Sequence, residues 1–220
     1  MAYNMIKNNH NLDFKISVII PCFKCEETIE RAVLSVVNQS LFPYEIILIE
    51  DYSDDNLRTI NKLIALQSKF KNYIQKKKNK KNMGPGFSRN LGWKKSKGNL
   101  VAFLDADDTW HFKKLQTQCE FLKRYPETDV VCNFDEYNLN YNEKKINIRR
   151  NSDIEIVNYS KMLFKNIVST RSVLIKNSIK ERFNPNSWYS EDYWLWLNLL
   201  NKGKNIIKLP FYLSGYYKKP

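Results

Sequence analysis

At 220 residues, 43% of them hydrophobic and 27% charged, the chain is long enough to build one compact domain around its own core. Six Gly and seven Pro exclude a collagen-like or Pro/Gly-rich disordered chain, and 5 Trp, 13 Tyr and 12 Phe argue further against disorder. Lys and Arg (36) outnumber Asp and Glu (23), and the resulting +13 favours anionic partners (nucleic acid, lipid or phosphate-bearing ligands) without choosing among them.

Residues 1–14 form a polar, Asn-rich extension without the apolar core of a signal peptide. No run of 18 apolar residues offers a membrane span, and four cysteines are too sparse for a disulfide framework. A cytosolic location follows, with peripheral membrane association left open. Residues 16–20 are a short apolar run before Pro21 and read as a buried strand. Ile29, Val33, Val36 and Val37 then recur at helical spacing within 26–39. Residues 45–49 form a second buried strand that runs into Glu50, Asp51, Tyr52, Ser53, Asp54 and Asp55. Asp54 or Asp55 caps a helix to about residue 70. A short third strand is expected at 73–75. The Lys76–Lys81 run reads as a solvated loop or, functionally, as a contact for anionic lipid.

Gly84-Pro85-Gly86 opens a helix to about residue 97, stopped by Gly98. Residues 100–104 are a buried strand ending in Asp105-Ala106-Asp107-Asp108. A helix at 111–124 closes at Pro126, and a strand follows at 129–134. Such alternation implies βαβ units and a mostly parallel sheet. Residues 137–150 read as a polar hairpin or loop, 159–166 as a short helix and 172–176 as a strand. Residues 191–202 form a Trp- and Leu-rich helix, and 205–217 a strand with an aromatic loop.

In open α/β sheets, ligands bind beyond the carboxyl ends of the strands. Three strands here end in chemistry: one in an aromatic, Phe23, and two in carboxylate clusters. Asp105-x-Asp107 is the strongest single feature, because carboxylates one residue apart can aim at one hard cation that also holds a diphosphate. Helix capping explains one acidic residue there, not three.

On these residues the chain resembles the family 2 glycosyltransferases, with the GT-A fold. The resemblance is carried by Ser17 to Pro21 with Phe23 and Glu26, by Leu34 to Ser40, and by Ile49 to Asp55. It continues through Asn82-Met-Gly84, Ser88-Arg89-Asn90-Leu-Gly92, Phe103 to Trp110, and Glu191-Asp192. It implies a single Rossmann-like α/β domain over 15–220, mostly parallel and flanked by helices. Residues 15–110 would be its nucleotide-sugar half and 111–220 a less regular acceptor half. Many relatives continue past the equivalent of Pro220, so a further acceptor-side or membrane-contact segment is expected.

The resemblance further implies an inverting enzyme that moves a sugar from a nucleotide sugar, a UDP-sugar first, to a hydroxyl of a glycan or lipid-linked glycan. The setting would be cell-surface polysaccharide synthesis at the inner face of the cytoplasmic membrane, with Mn²⁺ or Mg²⁺ assisting. Phe23 matches the aromatic on the nucleobase and Asp51 the carboxylate that reads its edge. Pro21, Glu26, Arg89 and Ala106 fall among the donor-site positions. Asp107 matches the metal ligand, with Asp105 either beside it on the metal or on the ribose and donor sugar. Asp192 matches the general base. Glu191, Trp188 and Tyr189 lie on the acceptor side. The chain departs from the family pattern at Lys24, where Asn is common, at Tyr52, where Gly is frequent, and at Phe112-Lys113-Lys114, where a different helix start is usual.

Other readings carry less. Cys22-x-x-Cys25 has redox spacing without a second pair, and His111 reads as a helix-start residue rather than a ligand. Trp194 and Trp196, two apart, cannot share a helix face, so one belongs to the core. The acidic clusters argue against a nucleic-acid-binding protein. A non-catalytic sugar-nucleotide-binding subunit would not need Asp192.

Overall fold

The computed structural model describes residues 14–149, 153–187 and 189–217. The extension before Phe14, His10 within it, and Trp188 lie outside the described residues. Strands β1 (Ile16–Cys22), β2 (Glu45–Glu50), β3 (Ile74–Lys78) and β4 (Leu100–Phe103) alternate with helices α1 (Ile29–Val37), α2 (Arg58–Lys69) and α3 (Gly84–Lys95). All four strands are parallel, in the order β3-β2-β1-β4. The chain moves outward from β1 to β3, then returns to β4 on the other side of β1. That reversal is a topological switch point, where a crevice opens beyond the strand ends.

The second half is mixed rather than parallel. It comprises β5 (Thr109–Trp110), α4 (Lys114–Arg124), β6 (Val130–Tyr137), β7 (Asn147–Ile148), β8 (Glu155–Val157), α5 (Tyr159–Phe164), β9 (Leu174–Lys176), α6 (Glu191–Asn201) and β10 (Ile206–Tyr216). β9 runs antiparallel between β4 and β6, whereas β10 is parallel to β6. β5, β7 and β8 all pair antiparallel with β10. Each antiparallel pair thus involves a strand of the second half, the less regular one expected, and the sheet is parallel along most of its register.

Alternation along β1 and β2 sorts their side chains onto two buried faces. Val18, Ile20, Ile46 and Leu48 pack under α1, α2 and α4. Ile19, Ile47, Val101 and Phe103 pack under α3, α5 and α6 with Trp93 and Trp196. Trp196 is the core member of its pair, and Trp194 is exposed. Gly92 lets α3 press onto β1, since a Cβ there would sit 2.5 Å from Ile19 Cγ2.

Several element limits differ from expectation. β1 continues through Pro21 to Cys22, because Pro21 lies past the last pair with β4 (Ile19 with Phe103), where its missing N–H costs no ladder bond. The third strand is longer than predicted and takes in Lys76, Lys77 and Lys78, so half of the presumed lysine loop is an edge strand; lysines suit an unpaired sheet edge. The N-cap residue of the next helix is Leu57 rather than Asp54 or Asp55, although Asp55 Oδ2 reaches into its first turn and accepts from Thr59 N–H at 3.1 Å. That helix starts only at Arg58, after Asn56 and Leu57 in left-handed conformations. α4 begins at Lys114 rather than 111, since Thr109–Trp110 joins the sheet beside β10. Cys22 and Cys25 are buried free thiols, and burial first, then Cys25, pushes the Cys22 thiol well up, which suits neither redox nor metal chemistry.

Lys114 is wholly buried; its Nζ donates to Gln118 Oε1 at 2.8 Å and lies 4.2 Å from the Trp110 ring centroid. Burial pushes it down from 10.5 to about 7. Between those values the unfolded chain holds a proton that the folded chain does not, so this group makes stability rise with pH across the window and penalises the fold in full below it. Urea unfolding at pH 7 to 10 is therefore expected to give a flatter profile for Lys114→Met than for the parent. Parallel profiles would show that Lys114 keeps its proton throughout.

Candidate active site

A cavity of about 740 Å³ opens beyond the carboxyl ends of β1, β2 and β4. The sequence-predicted residues Pro21, Phe23, Glu26 and Asp51 line one side of it. Asp105, Ala106 and Asp107 line another. The three clusters thus converge because their strands are neighbours. Phe23 is 45% exposed at the mouth, with Lys24 Nζ 5.5 Å from its ring centroid. Lys24 itself is left-handed (φ 46°) and donates its N–H to Ser53 Oγ at 3.1 Å, which ties the β1 loop to the β2 loop. Tyr52 has φ 59°, the region glycine adopts most freely, which accounts for glycine's frequency there in the family pattern.

Asp51 is buried, and three donors hold it. Asn79 Nδ2 (2.6 Å) and Met83 N–H (2.9 Å) reach Oδ1, and Gly84 N–H (2.8 Å) reaches Oδ2. It therefore caps the start of α3 from across the cavity wall, a task the sequence did not signal. Among the described residues Oδ2 accepts once, and a carboxylate oxygen has room for two donors. Glu50 is also buried and accepts from Ser53 N–H at 2.5 Å, shaping the turn. Among the described residues Glu26 makes only a surface ion pair with Arg58, at 3.5 Å.

Arg89 departs from its expected place. It does not line the cavity but lies buried behind it, because two carboxylates draw it inward. Nη2 donates to Asp105 Oδ1 at 2.6 Å and Nη1 to Glu191 Oε1 at 2.5 Å. Burial disfavours the Arg89 charge, but Asp105 and Glu191 outweigh it and raise the guanidinium above its ordinary value. Burial likewise pushes Asp105 up, but the facing guanidinium prevails and holds it below the usual carboxylate range. Glu191 is thus not a free acceptor-side group. It is 7% exposed and anchors the first turn of α6 to α3 and to the end of β4.

Asp107 is half-buried; its carbonyl accepts from Arg31 Nη2 at 2.7 Å. Among the described residues its carboxylate makes no hydrogen bond or ion pair. Asp108 is buried against Arg171 (2.9 Å); burial first, then the neighbouring Asp105, pushes it up to about 8 despite that pairing. Among the described residues no three Asp, Glu, His or Cys side chains converge to cage a cation. The donor set instead fits a Mg²⁺ or Mn²⁺ that takes one or two carboxylates and completes its shell with diphosphate oxygens and water. Asp107 would hold it, with Asp105 Oδ2 alongside.

Asp192 stands in the first turn of α6, after left-handed Ser190 (φ 57°). Its Oδ2 accepts from Thr170 Oγ1 at 2.9 Å and its Oδ1 from Tyr193 N–H at 2.7 Å. Tyr189 is 87% exposed beside it. His111 is buried and accepts from Lys113 N–H at Nδ1 (3.1 Å), so it fixes the approach to α4 rather than serving as a ligand. Sequence reasoning missed Arg171, which sits between Asp108 and Asp135. It lies in an unpatterned Ser-Thr-Arg-Ser stretch that carries no local signal.

The model for glycosyl transferase family 2 matches residues 17–190. The Escherichia coli UDP-Glc:alpha-D-GlcNAc-diphosphoundecaprenol beta-1,3-glucosyltransferase WfaP is 36% identical over 199 residues, covering 86% of this chain and 71% of the relative. WfgD of the same organism, with the same described activity, is 28% identical over 206 residues, covering 93% and 77%. The crystal structure of Staphylococcus aureus TarS 1–349 in complex with UDP superimposes with a TM-score of 0.74 at 20% identity, over 94% of this chain. The chain spans 61% of that TarS chain. This last likeness bears on the fold alone.

Proposed function

The chain belongs to glycosyl transferase family 2, and from that premise we propose that it transfers a sugar from a UDP-sugar to a hydroxyl of a lipid-linked or polymeric glycan in cell-surface glycan synthesis. The observation that carries this reading is the switch-point cavity, which offers an exposed aromatic, a buried carboxylate and an uncommitted carboxylate on three neighbouring strand ends. Phe23 supplies a π-face for the base and Asp51 an acceptor for its edge. A divalent cation bound at Asp107 would neutralise the leaving diphosphate. Asp192 takes the proton from the acceptor hydroxyl as its oxygen attacks the anomeric carbon; the bond to UDP breaks, and the configuration inverts. WfaP and WfgD are described as acting on a GlcNAc diphosphate lipid, which supports an acceptor of that class. No helix among the described residues is long and apolar enough to cross a membrane. A lipid-linked acceptor would then be met from the cytoplasmic face, with exposed lysines of the 76–81 run on anionic lipid.

The test is thermal unfolding with a panel of nucleotides and UDP-sugars, with and without Mn²⁺. Ligand at about 100 times its Kd adds about 2.7 kcal/mol, a shift of about 5–10 °C. Phe23→Ala is the cleanest variant, because Phe23 is exposed and its loss leaves the core intact. Loss of base stacking, about 1–3 kcal/mol, is expected to weaken UDP binding by about 5- to 150-fold with an unchanged ligand-free midpoint. An unshifted parent protein would remove the donor reading altogether.

A further inference from the structure

Asp192 and the Asp105–Asp108 segment are distant in sequence, yet one short turn grips both. It is the 3₁₀ turn Thr170–Ser172. Thr170 Oγ1 donates to Asp192 Oδ2 at 2.9 Å. The next residue, Arg171, donates from Nη1 to Asp108 Oδ2 at 2.9 Å, and its Nε lies 3.8 Å from Asp135 Oδ1. The Arg171 carbonyl accepts from Trp110 Nε1 at 2.8 Å and Ser214 Oγ at 3.2 Å, and the Ser172 carbonyl from Gln118 Nε2 at 2.7 Å. β5, β10 and α4 therefore pin the turn before it reaches Asp192.

Among the described residues, the Asp192 carboxylate hangs from two donors. Tyr193 N–H belongs to its own helix and moves with it, whereas the Thr170 hydroxyl comes from outside the helix. Thr170 is the donor that sets how α6 presents this carboxylate to the rest of the site. Its side chain is 5% exposed, so surrounding structure rather than solvent decides where its hydroxyl points. We propose that Thr170 is a positioning residue for the general base, and that Arg171 holds the same turn to Asp108, so that base and D-x-D motif share one rigid frame. A carboxylate oxygen with one donor keeps a lone pair for an acceptor hydroxyl. A base that swings away from its near-attack position loses rate, not donor affinity. The inference rests on the reading of Asp192 as the base.

The experiment compares Thr170→Val, Thr170→Ser and Asp192→Asn in the full chain. The donor is the UDP-sugar selected by thermal unfolding, UDP-glucose first, and the acceptor a GlcNAc diphosphate lipid. Valine keeps the shape of threonine and removes only the hydroxyl; serine keeps the hydroxyl. Thr170→Val is expected to lower kcat by about tenfold with the donor KM within about twofold, and Thr170→Ser to restore kcat to within about twofold to threefold of the parent. Unchanged kcat in Thr170→Val would overturn the proposal, as would a Thr170→Ser variant no better than the valine one, since packing would then be the cause. Full activity in Asp192→Asn would instead overturn the base assignment beneath it.

Discussion

Asp192→Asn is expected to lower the rate of sugar transfer by about 10³-fold while leaving UDP binding within about twofold of the parent. The asparagine side chain has the same shape, and its Oδ1 still accepts one of the two donors now on the carboxylate, so the first turn of α6 stays formed. What it cannot do is take a proton. An acceptor hydroxyl is a poor nucleophile until a positioned base removes its proton, and general-base catalysis contributes about 10²- to 10⁴-fold. UDP binding provides the control, because Asp192 is absent from the lining of the switch-point cavity. Transfer rates and UDP titrations on the same preparation separate the two. A variant that loses both together would place Asp192 in the donor site; one that loses neither would require another base.

The half of the fold that builds the switch-point cavity was legible because its signals are local. β1, β2 and β4 are apolar runs buried on both faces, each ending in a change of chemistry at a fixed point, Pro21, Glu50 or Asp105. Neighbouring strands then bring those ends together without further instruction. β5, β7 and β8 were not legible. They are two or three residues long and exist because β10, far along the chain, offers partners for them. Lys76–Lys78 misled because a lysine run reads as a loop unless its pairing with β2 is known. Arg89 is the instructive case among the site residues. Its motif position marked it as a nucleotide contact, but the partners that turn it inward lie 16 and 102 residues away. Sequence separation also hid Arg171, which pairs with Asp108 and Asp135 from far along the chain.

Arg89→Met is expected to destabilise the fold by about 3 kcal/mol at pH 7.5, within the range for removing one partner of a buried ion pair. The Arg89 side chain is buried and joins α3 to the end of β4 and the start of α6, so methionine fills the space but leaves the buried Glu191 without a counter-charge. Arg89→Lys should rescue it only in part, because a compact ammonium on a shorter stem does not reproduce the planar fork whose two nitrogens meet the two carboxylates separately. The pH dependence identifies the cause. In the parent, Arg89 holds Asp105 below its usual range, a stabilisation present above the unfolded carboxylate value and lost as pH falls through the folded one. In the variant, the orphaned carboxylates bind protons more readily when folded than when unfolded, so lowering the pH from 7.5 toward 5 restores part of the loss. Urea unfolding at both pH values should therefore show the gap between parent and variant narrowing in acid. A gap independent of pH would mean that the cost is one of packing, and that the Asp105–Arg89–Glu191 bridge contributes shape rather than charge to the site.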